Sequence, residues 1–264
     1  MSAQARPRAT AILSAKGIVN RFGKQLVHDK LDLDIVEGEV LGIAGGSGSG
    51  KSVLLKTLTG LHRPDAGEVL IGGKPVEKIG DTEKASLFGV LFQQGALFSS
   101  LSVAQNVMVP MREHTSLALE ECQRIAAMKL ELAGMPAESG IKLPAELSGG
   151  MVKRAALARA LALDPRILFL DEPTSDLDPL NASGIDALIT QLNESLGVTV
   201  VIVTHDLTTL FTVCHRVAVL VDKTITVDTL DKLMRSSQPW IHEFLHGPRA
   251  QAAMGARRKN HGNG

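Results

Sequence analysis

The sequence predicts an α/β fold that is built on a parallel β-sheet and carries an inserted helical lobe. Residues 167–170 and 198–203 are uninterrupted apolar runs, which are typical of parallel strands buried on both faces. Between them, residues 179–196 have the length and spacing of a helix, and the order strand, helix, strand indicates a parallel crossover. A glycine-rich turn between an apolar run and a helical segment, at residues 45–50, indicates a further strand–turn–helix unit.

The remaining elements follow from periodicity. Residues 31–35 alternate apolar and acidic side chains, which predicts a strand with one solvated face. Residues 40–44 form a short apolar strand, and residues 53–61 form a helix. A helical lobe is predicted at about residues 104–162, because helical periodicity recurs there between glycine and proline breaks.

The C-terminal part contains a predicted hairpin and a tail. Residues 217–221 and 224–227 flank Asp222 and Lys223, a two-residue turn that lacks the usual glycine. From Gln251 onward the chain is small, polar and basic, which predicts disorder. This end is either simply solvated or contacts lipid head groups or a regulatory partner. Its basic residues are Arg249, Arg257, Arg258 and Lys259.

The composition indicates a globular protein and disfavours a role in nucleic-acid binding. Of the 264 residues, 44% are apolar and 21% are charged, values that are ordinary for soluble proteins. The 28 basic residues balance 28 acidic ones, and aromatic residues make up only 3%. The chain therefore lacks both the positive field and the stacking side chains that nucleic-acid binding uses.

The sequence also favours a cytoplasmic location. No run of about 18 apolar residues is present, and the first ten residues are not followed by the apolar core of a secretory signal. Cys122 and Cys214 belong to no C-x-x-C pair, so we expect both to be core residues.

Residues 45–52 match the phosphate-loop pattern G-x-x-x-x-G-K-[ST] without a mismatch. In such a loop, backbone N–H groups, a helix dipole and one ammonium face the negative charges of a triphosphate. We expect Lys51 to reach the β- and γ-phosphates of ATP and the Ser52 hydroxyl to bind Mg²⁺. The predicted nucleotide-binding residues of the loop are Gly45, Gly46, Ser47, Gly48, Ser49, Gly50, Lys51 and Ser52.

Two carboxylates, Asp171 and Glu172, follow the predicted strand at residues 167–170. The carboxyl ends of parallel strands form the edge at which α/β sheets bind ligands. We expect Asp171 to belong to the metal shell and Glu172 to polarise the attacking water. A strand that ends in Asp-Glu is common by itself, so the functional interpretation depends on the phosphate loop in the same chain.

A second candidate anion site lies ahead of a predicted helix at residues 152–161. Ser148, Gly149 and Gly150 would place free N–H groups and a hydroxyl at the start of that helix. The alternative interpretation is a serine N-cap that follows a loop.

The order of these motifs resembles that of ATP-binding subunits of ABC transporters. The resemblance covers about residues 11–230 and extends to residues 92–94 (glutamine loop), 175–178 (D-loop) and 203–206 (switch histidine). It implies a P-loop NTPase with a RecA-like parallel core, an antiparallel β part and a helical subdomain inserted at about residues 95–162.

The same resemblance implies one ABC ATPase domain at residues 11–230, followed at residues 231–264 by a C-terminal helix and the tail. It gives Gln93 a place in the shell of Mg²⁺ and water, and it lets His205 contact the γ-phosphate. Lys51, Glu172 and His205 are then the catalytic residues. Phe22 stands where the family stacks an aromatic ring on adenine, and the alternative is a buried core phenylalanine.

The resemblance also implies a homodimer in which two ATPase subunits meet head to tail and trap two ATP molecules. Ser148, Gly149 and Gly150 of one chain would contact nucleotide held by the other. Hydrolysis removes the γ-phosphate that bridges the halves, so the dimer reopens and moves its attached partners.

A narrower resemblance is to the MlaF-type ATPases, carried by residues 92–98, residues 110–115 and Met151 in place of the glutamine that usually follows the signature glycines. It implies phospholipid movement between inner and outer membranes. The implied partners are a MlaE-like permease, a MlaD-like periplasmic protein and a MlaB-like STAS protein, with the chain at the cytoplasmic face of the inner membrane. Residues 97–101 would help to receive the permease.

Two positions depart from the family pattern, and other functions stay open. Gly46 replaces a usual proline, and Asp176 replaces a small residue. An importer of a small polar solute, such as an amino acid, would share every nucleotide residue. A soluble ABC protein acting on ribosomes or DNA usually carries two nucleotide sites, whereas this chain has one. A scaffold without catalysis would lack Glu172 or His205.

Overall fold

A computed structural model describes residues 10–261 of the chain, with the backbone alone at residues 137 and 255–261. The expectations for residues 1–9 and 262–264 lie outside the described residues. Between residues 10 and 261 the chain forms ten strands: β1 (Ala11–Phe22), β2 (Gln25–Val36), β3 (Val40–Gly45), β4 (Ala66–Ile71), β5 (Lys74–Pro75), β6 (Phe88–Leu91), β7 (Ile167–Asp171), β8 (Thr199–Val203), β9 (Arg216–Val221) and β10 (Thr224–Asp228).

The same residues form ten α-helices, and none of these is both long and apolar enough to cross a bilayer. The helices are α1 (Lys51–Leu58), α2 (Asp81–Leu87), α3 (Val103–His114), α4 (Leu119–Leu132), α5 (Gly149–Ala160), α6 (Pro179–Leu196), α7 (Leu207–Thr212), α8 (Leu230–Leu233), α9 (Pro239–His246) and α10 (Pro248–His261).

The six-stranded sheet confirms the predicted parallel core. Its strand order is β10-β9-β3-β8-β7-β6, and every neighbouring pair is parallel except β10 with β9. All residues of β3 and β8 are buried, as strands covered by helices on both faces require. The predicted hairpin is β9–β10, and its turn residues Asp222 and Lys223 both have positive φ, at 50° and 67°. These are the dihedrals that a type I′ turn needs.

A second, antiparallel sheet has the order β2-β1-β4-β5. It contains the predicted strand at residues 31–35, whose apolar side chains Leu31, Leu33 and Ile35 point into the core while Asp32 and Asp34 face solvent. Pairing of β1 with β2 shifts register at several points, and such irregular strands leave no clean period-two pattern in the sequence. The sequence therefore does not indicate the rest of this sheet.

The helical lobe consists of α3, α4 and α5, which pack around one apolar cluster. Ser102 and Gln105 form a capping box at the start of α3. The helix predicted at residues 152–161 begins earlier, at Gly149, because Ser148 caps it by accepting a hydrogen bond from the Met151 backbone N–H. Cys122 lies in this cluster and Cys214 packs against it, and both are free thiols, as predicted.

The tail differs from the prediction. Disorder was expected from Gln251, but α10 continues from Pro248 to His261. Ala250 and Ala253 are buried in a cluster with Leu210 and Phe211 of α7. Alanine is the best helix former, and its small side chain allows close approach of two helices, so a segment that is polar in composition still folds onto the core.

One buried acid makes the stability of this fold dependent on pH. Asp186 lies on α6, and its carboxylate accepts hydrogen bonds from the Thr209 hydroxyl at 3.0 and 3.1 Å. Burial, with a smaller contribution from the charge of Asp206, raises the pKa of Asp186 to about 7. The folded chain therefore binds an extra proton between about pH 4 and pH 7, and its stability falls as pH rises through that interval.

We predict that Asp186→Asn reduces this loss of stability with rising pH, because the amide has no charge to bury. The free energy of unfolding is measured by urea titration at pH 5 and at pH 8. Its decrease from pH 5 to pH 8 should be smaller in the variant than in the wild type, by on the order of 1 kcal/mol or more. Asp178→Asn, at the exposed N-cap of the same helix, is the control. The pKa of Asp178 is lowered by hydrogen bonds with Asn181, so this change should act equally at both pH values. An unchanged pH dependence in Asp186→Asn would contradict the prediction.

Candidate nucleotide-binding and hydrolysis site

The parallel sheet brings the predicted site residues to one edge. The neighbouring strands β3, β8, β7 and β6 all run in the same direction. Their carboxyl ends lead, respectively, into the phosphate loop, His205, the pair Asp171–Glu172, and Gln93. Four segments that are far apart in the sequence therefore meet where α/β sheets bind ligands.

The phosphate loop joins β3 to α1 as predicted. Gly50 is the N-cap of α1 and has a φ of 99°. A Cβ atom at Gly50 would lie 2.5 Å from Val27 Cγ1 and 2.6 Å from His28 Nε2, so only glycine fits there. The loop thus holds the N-terminal N–H groups of α1 toward the edge of the sheet, where they can donate to an anion.

The ammonium of Lys51 lies between the loop and the two carboxylates. Its Nζ donates hydrogen bonds to the backbone carbonyl oxygens of Gly45 at 2.9 Å and Gly46 at 3.1 Å. Burial lowers the pKa of Lys51, and the charges of Glu172 and Asp171 oppose that shift. The lysine is therefore partly desolvated and faces two acids, an arrangement in which a charged phosphate interacts more strongly than it would in water.

Asp171 contacts Ser52, the other residue predicted to bind the metal. Burial and the neighbouring charge of Glu172 raise the pKa of Asp171, and a hydrogen bond with the Ser52 hydroxyl lowers it. Among residues 10–261, no group of three or more His, Cys, Asp or Glu could hold a metal ion. One carboxylate and one hydroxyl are a suitable set for Mg²⁺, which commonly takes few protein ligands and completes its shell with phosphate oxygens and water.

Glu172 and His205 form a hydrogen-bonded pair. His205 Nδ1 lies 2.8 Å from Glu172 Oε1, and the Thr204 hydroxyl donates to Glu172 Oε2 at 3.3 Å. The Glu172 side chain is 12% exposed, whereas His205 is largely open to solvent. The backbone of Glu172 has a φ of 49°, a left-handed conformation that is uncommon for a residue with a side chain and that clusters at functional sites.

The other predicted residues lie around this centre. Gln93 is exposed and follows β6. Phe22, at the end of β1, is 49% exposed and stacks on His62 with a centroid distance of 5.3 Å, so it is not a core residue. Ser148 and Gly149 are exposed at the start of α5, while Gly150 is buried. Ser148 does cap its helix. A cavity lies beside Lys51, and none of Ser148, Gly149 and Gly150 lines it.

The C-terminal helices close one side of the site, which the sequence did not reveal. A cavity of about 800 Å³ lies between the phosphate loop and α9–α10. Trp240 and Phe244 stack with centroids 4.8 Å apart, and Trp240 lies 3.8 Å from the Cβ position that a side chain at Gly46 would occupy. A local signal existed, since Trp240 and Phe244 are one helical turn apart beside the buried Ile241 and Leu245. The residues of α9–α10 that line the cavity are Trp240, Glu243, Phe244, Pro248 and Arg249, with Gly247 between the helices.

Fold and site together define a phosphate-loop nucleotide hydrolase. The family model of ABC transporters matches residues 28–175. The chain belongs to the ABC transporter family, and it is an ATP-hydrolysing cassette of that family.

Known proteins that are similar to this chain match most of its length. It is 37% identical, over 89% of the chain and 90% of the relative, to the intermembrane phospholipid transport system ATP-binding protein MlaF of Haemophilus influenzae. It is 41% identical, over 92% of the chain and 71% of the relative, to the probable ribonucleotide transport ATP-binding protein mkl of Mycobacterium leprae. A solved dimer of the ATP-binding cassette MJ0796, bound to ADP and Pi, is 32% identical over 83% of this chain and 98% of that one, with a TM-score of 0.75.

We predict that ATP changes the fluorescence of Trp240, the single tryptophan of the chain. The indole is half-buried beside Gly46. Phosphates bound in the loop should therefore change the polarity around the indole and the quenching of its emission. The measurement is a titration of the emission spectrum with ATP and Mg²⁺. Lys51→Ala is the control, because weakened binding should shift the midpoint to higher ATP. If calorimetry shows that ATP binds but the emission spectrum stays constant, the prediction that α9 lies against the loop is wrong.

Proposed function

We propose that the chain powers phospholipid transport between two membranes by binding and hydrolysing ATP. The observation that carries the nucleotide chemistry is the convergence of Lys51, Ser52, Asp171, Glu172 and His205 at one edge of the parallel sheet. Support for the lipid substrate is the similarity to MlaF, which spans about nine tenths of both chains.

In this proposal each residue has one role toward ATP. The loop residues Gly45 to Ser52 hold the phosphates, with Lys51 on the β- and γ-phosphates. Ser52, Asp171 and Gln93 hold Mg²⁺, which neutralises phosphate charge when it is bound. Glu172 orients the attacking water as general base, and His205 orients Glu172 and contacts the γ-phosphate. Phe22 stacks on the adenine.

Two copies of the chain would complete two sites. Ser148 and Gly149 are exposed at the N-terminus of α5 and do not line the cavity beside the chain's own Lys51, which suits a contact with nucleotide held by a second copy. The MJ0796 cassette, similar in fold and sequence, has been solved as a dimer. We infer that ATP bridges two copies of this chain by charge-assisted hydrogen bonds until its γ-phosphate is removed.

The proposed assembly lies at the cytoplasmic face of an inner membrane. Its further members are a MlaE-like permease, a MlaD-like periplasmic lipid-binding protein and a MlaB-like STAS protein, by the similarity to MlaF. The competing substrate is a small polar solute, and the name of the mycobacterial relative suggests a ribonucleotide. Both substrates would use the same ATP site, so the distinction depends on the permease.

We predict that Glu172→Gln abolishes turnover and retains ATP binding. The amide keeps the shape of the side chain but cannot accept a proton from water, so the ATPase rate should fall about 10²-fold or more. The binding constant for ATP should change by less than about 3-fold, because the loop is intact. The measurements are phosphate release and calorimetric ATP titration, and a glutamine variant with an undiminished rate would exclude Glu172 as the base.

We predict the opposite pattern for Lys51→Ala. Loss of an ammonium–phosphate contact, which is worth on the order of 1.5–3 kcal/mol, should weaken ATP binding by roughly ten-fold or more. Lys56→Ala is the matched control, since Lys56 is an exposed lysine on the same helix α1 and lies outside the site. Equal affinities of the two alanine variants would contradict the role of Lys51.

The substrate is tested by purification of the tagged full chain from native membranes, followed by mass spectrometry of the proteins and lipids that accompany it. We expect a MlaE-like permease and bound phospholipid. The Lys51→Ala chain, purified in parallel, should retain the same partners, because assembly does not depend on turnover. Recovery of a permease for nucleotides or amino acids would contradict the lipid assignment and leave the ATPase assignment intact.

A further inference from the structure

Lys153 is a nearly buried cation that the site described above does not use. It lies on α5, three residues after Gly150, and is 5% exposed. A charge removed from water is costly unless it is fully hydrogen-bonded. The three N–H donors of its ammonium meet three oxygen acceptors: the carbonyl of Gln93, the carbonyl of Glu172 at 2.8 Å, and the hydroxyl of Ser175 at 3.2 Å.

These acceptors belong to different parts of the core. Gln93 follows β6, Glu172 follows β7, and Ser175 lies in the turn before α6. Lys153 itself belongs to the helical lobe and to the helix that begins with the exposed pair Ser148 and Gly149. One side chain therefore ties the start of α5 to two segments that carry candidate site residues.

Lys153 contacts Glu172 at its backbone, which has a strained conformation. The left-handed conformation at Glu172 persists only where neighbouring groups hold it. The carbonyl oxygen of Glu172 accepts from Lys153, from the Ser175 hydroxyl at 2.9 Å and from the Ser175 backbone N–H at 3.3 Å. The N–H of Glu172 donates to the carbonyl of Val203 at 2.8 Å. Lys153 thus supplies one of four hydrogen bonds that orient the two peptide groups flanking Glu172, and with them the direction of its carboxylate.

Asp176 balances the buried charge. Burial lowers the pKa of Lys153, and the acids that oppose this shift are Asp176, whose effect is the largest, then Glu172 and Asp171. Asp176 also has a φ of 62°. The charge of Asp176, the acid that replaces a small residue in the D-loop, therefore helps to stabilise the charged form of Lys153.

We propose that Lys153 is a positioning residue for ATP hydrolysis, which holds the backbones of Glu172 and Gln93 against α5. Movement of α5 is thereby passed to the carboxylate that orients water. The inference rests on the proposed role of Glu172 and adds to it a mechanical connection between the helical lobe and the hydrolytic residues.

The test is Lys153→Met in the full chain, purified together with its membrane partners and assayed for ATP turnover against ATP concentration. We expect kcat to fall about 10-fold or more, because the Glu172 carboxylate loses its fixed direction. KM for ATP should change by less than about 3-fold, because Lys153 contacts no residue of the phosphate loop. An unchanged kcat would overturn the proposal.

Lys129→Met is the matched control, because Lys129 is a second nearly buried lysine, 7% exposed, on α4 of the same lobe. Its ammonium pairs with Asp164 and contacts no residue of the candidate site. This variant should lower the melting temperature and leave kcat per folded molecule within about 2-fold. If Lys153→Met reduces kcat only to the extent that Lys129→Met does, the lysine is merely structural and the proposal fails.

A conservative variant separates positioning from general destabilisation. Lys153→Arg keeps a cation with several donors and should recover at least half of the kcat that Lys153→Met loses. An active Glu172→Gln chain would refute the proposed role of Glu172 itself, whereas an active Lys153→Met beside an inactive Glu172→Gln would refute this inference alone.

Discussion

The site depends on the balance of charge at the carboxyl edge of the parallel sheet. Asp171 and Glu172 are adjacent acids, and burial together with the charge of Glu172 raises the pKa of Asp171. Lys51 faces both from the neighbouring strand–helix unit, and burial in turn disfavours its own charge. Lys51 therefore favours the charged form of Asp171, and the two acids favour the charged form of Lys51. This dependence requires β3, β8 and β7 to be parallel neighbours.

The helical lobe is connected to that balance through backbone groups. Arg159 of α5 donates to the carbonyls of Gly95 and Ala96 at 2.7 Å, and Lys153 of the same helix donates to those of Gln93 and Glu172. Backbone carbonyls cannot rotate away independently of the chain, so these bonds couple the position of α5 to the path of the segment after β6. The position of the inserted helical lobe thus affects the positions of the hydrolytic residues.

The C-terminal helices are connected to the same site from the other side. α7 begins two residues after His205, and its Leu210 and Phe211 pack in one cluster with residues of α9 and α10. Trp240 lies against the phosphate loop at Gly46, the position where proline is usual. The departure from the family pattern therefore lies at the point where the C-terminal segment contacts the loop.

The sequence alone determined the local features: the phosphate loop, the buried strands β3, β7 and β8, the helices α4 and α6, and the pair Asp171–Glu172. Each is set by the residue types and periodicity of one short segment, so it can be recognised without knowledge of the fold. Only the tertiary structure decided that Lys153 donates a hydrogen bond to the Glu172 carbonyl, that Trp240 lies against the loop, and that α10 packs with α7. Those contacts join segments distant in sequence, and their strength comes from burial and charge in three dimensions, which no local pattern encodes.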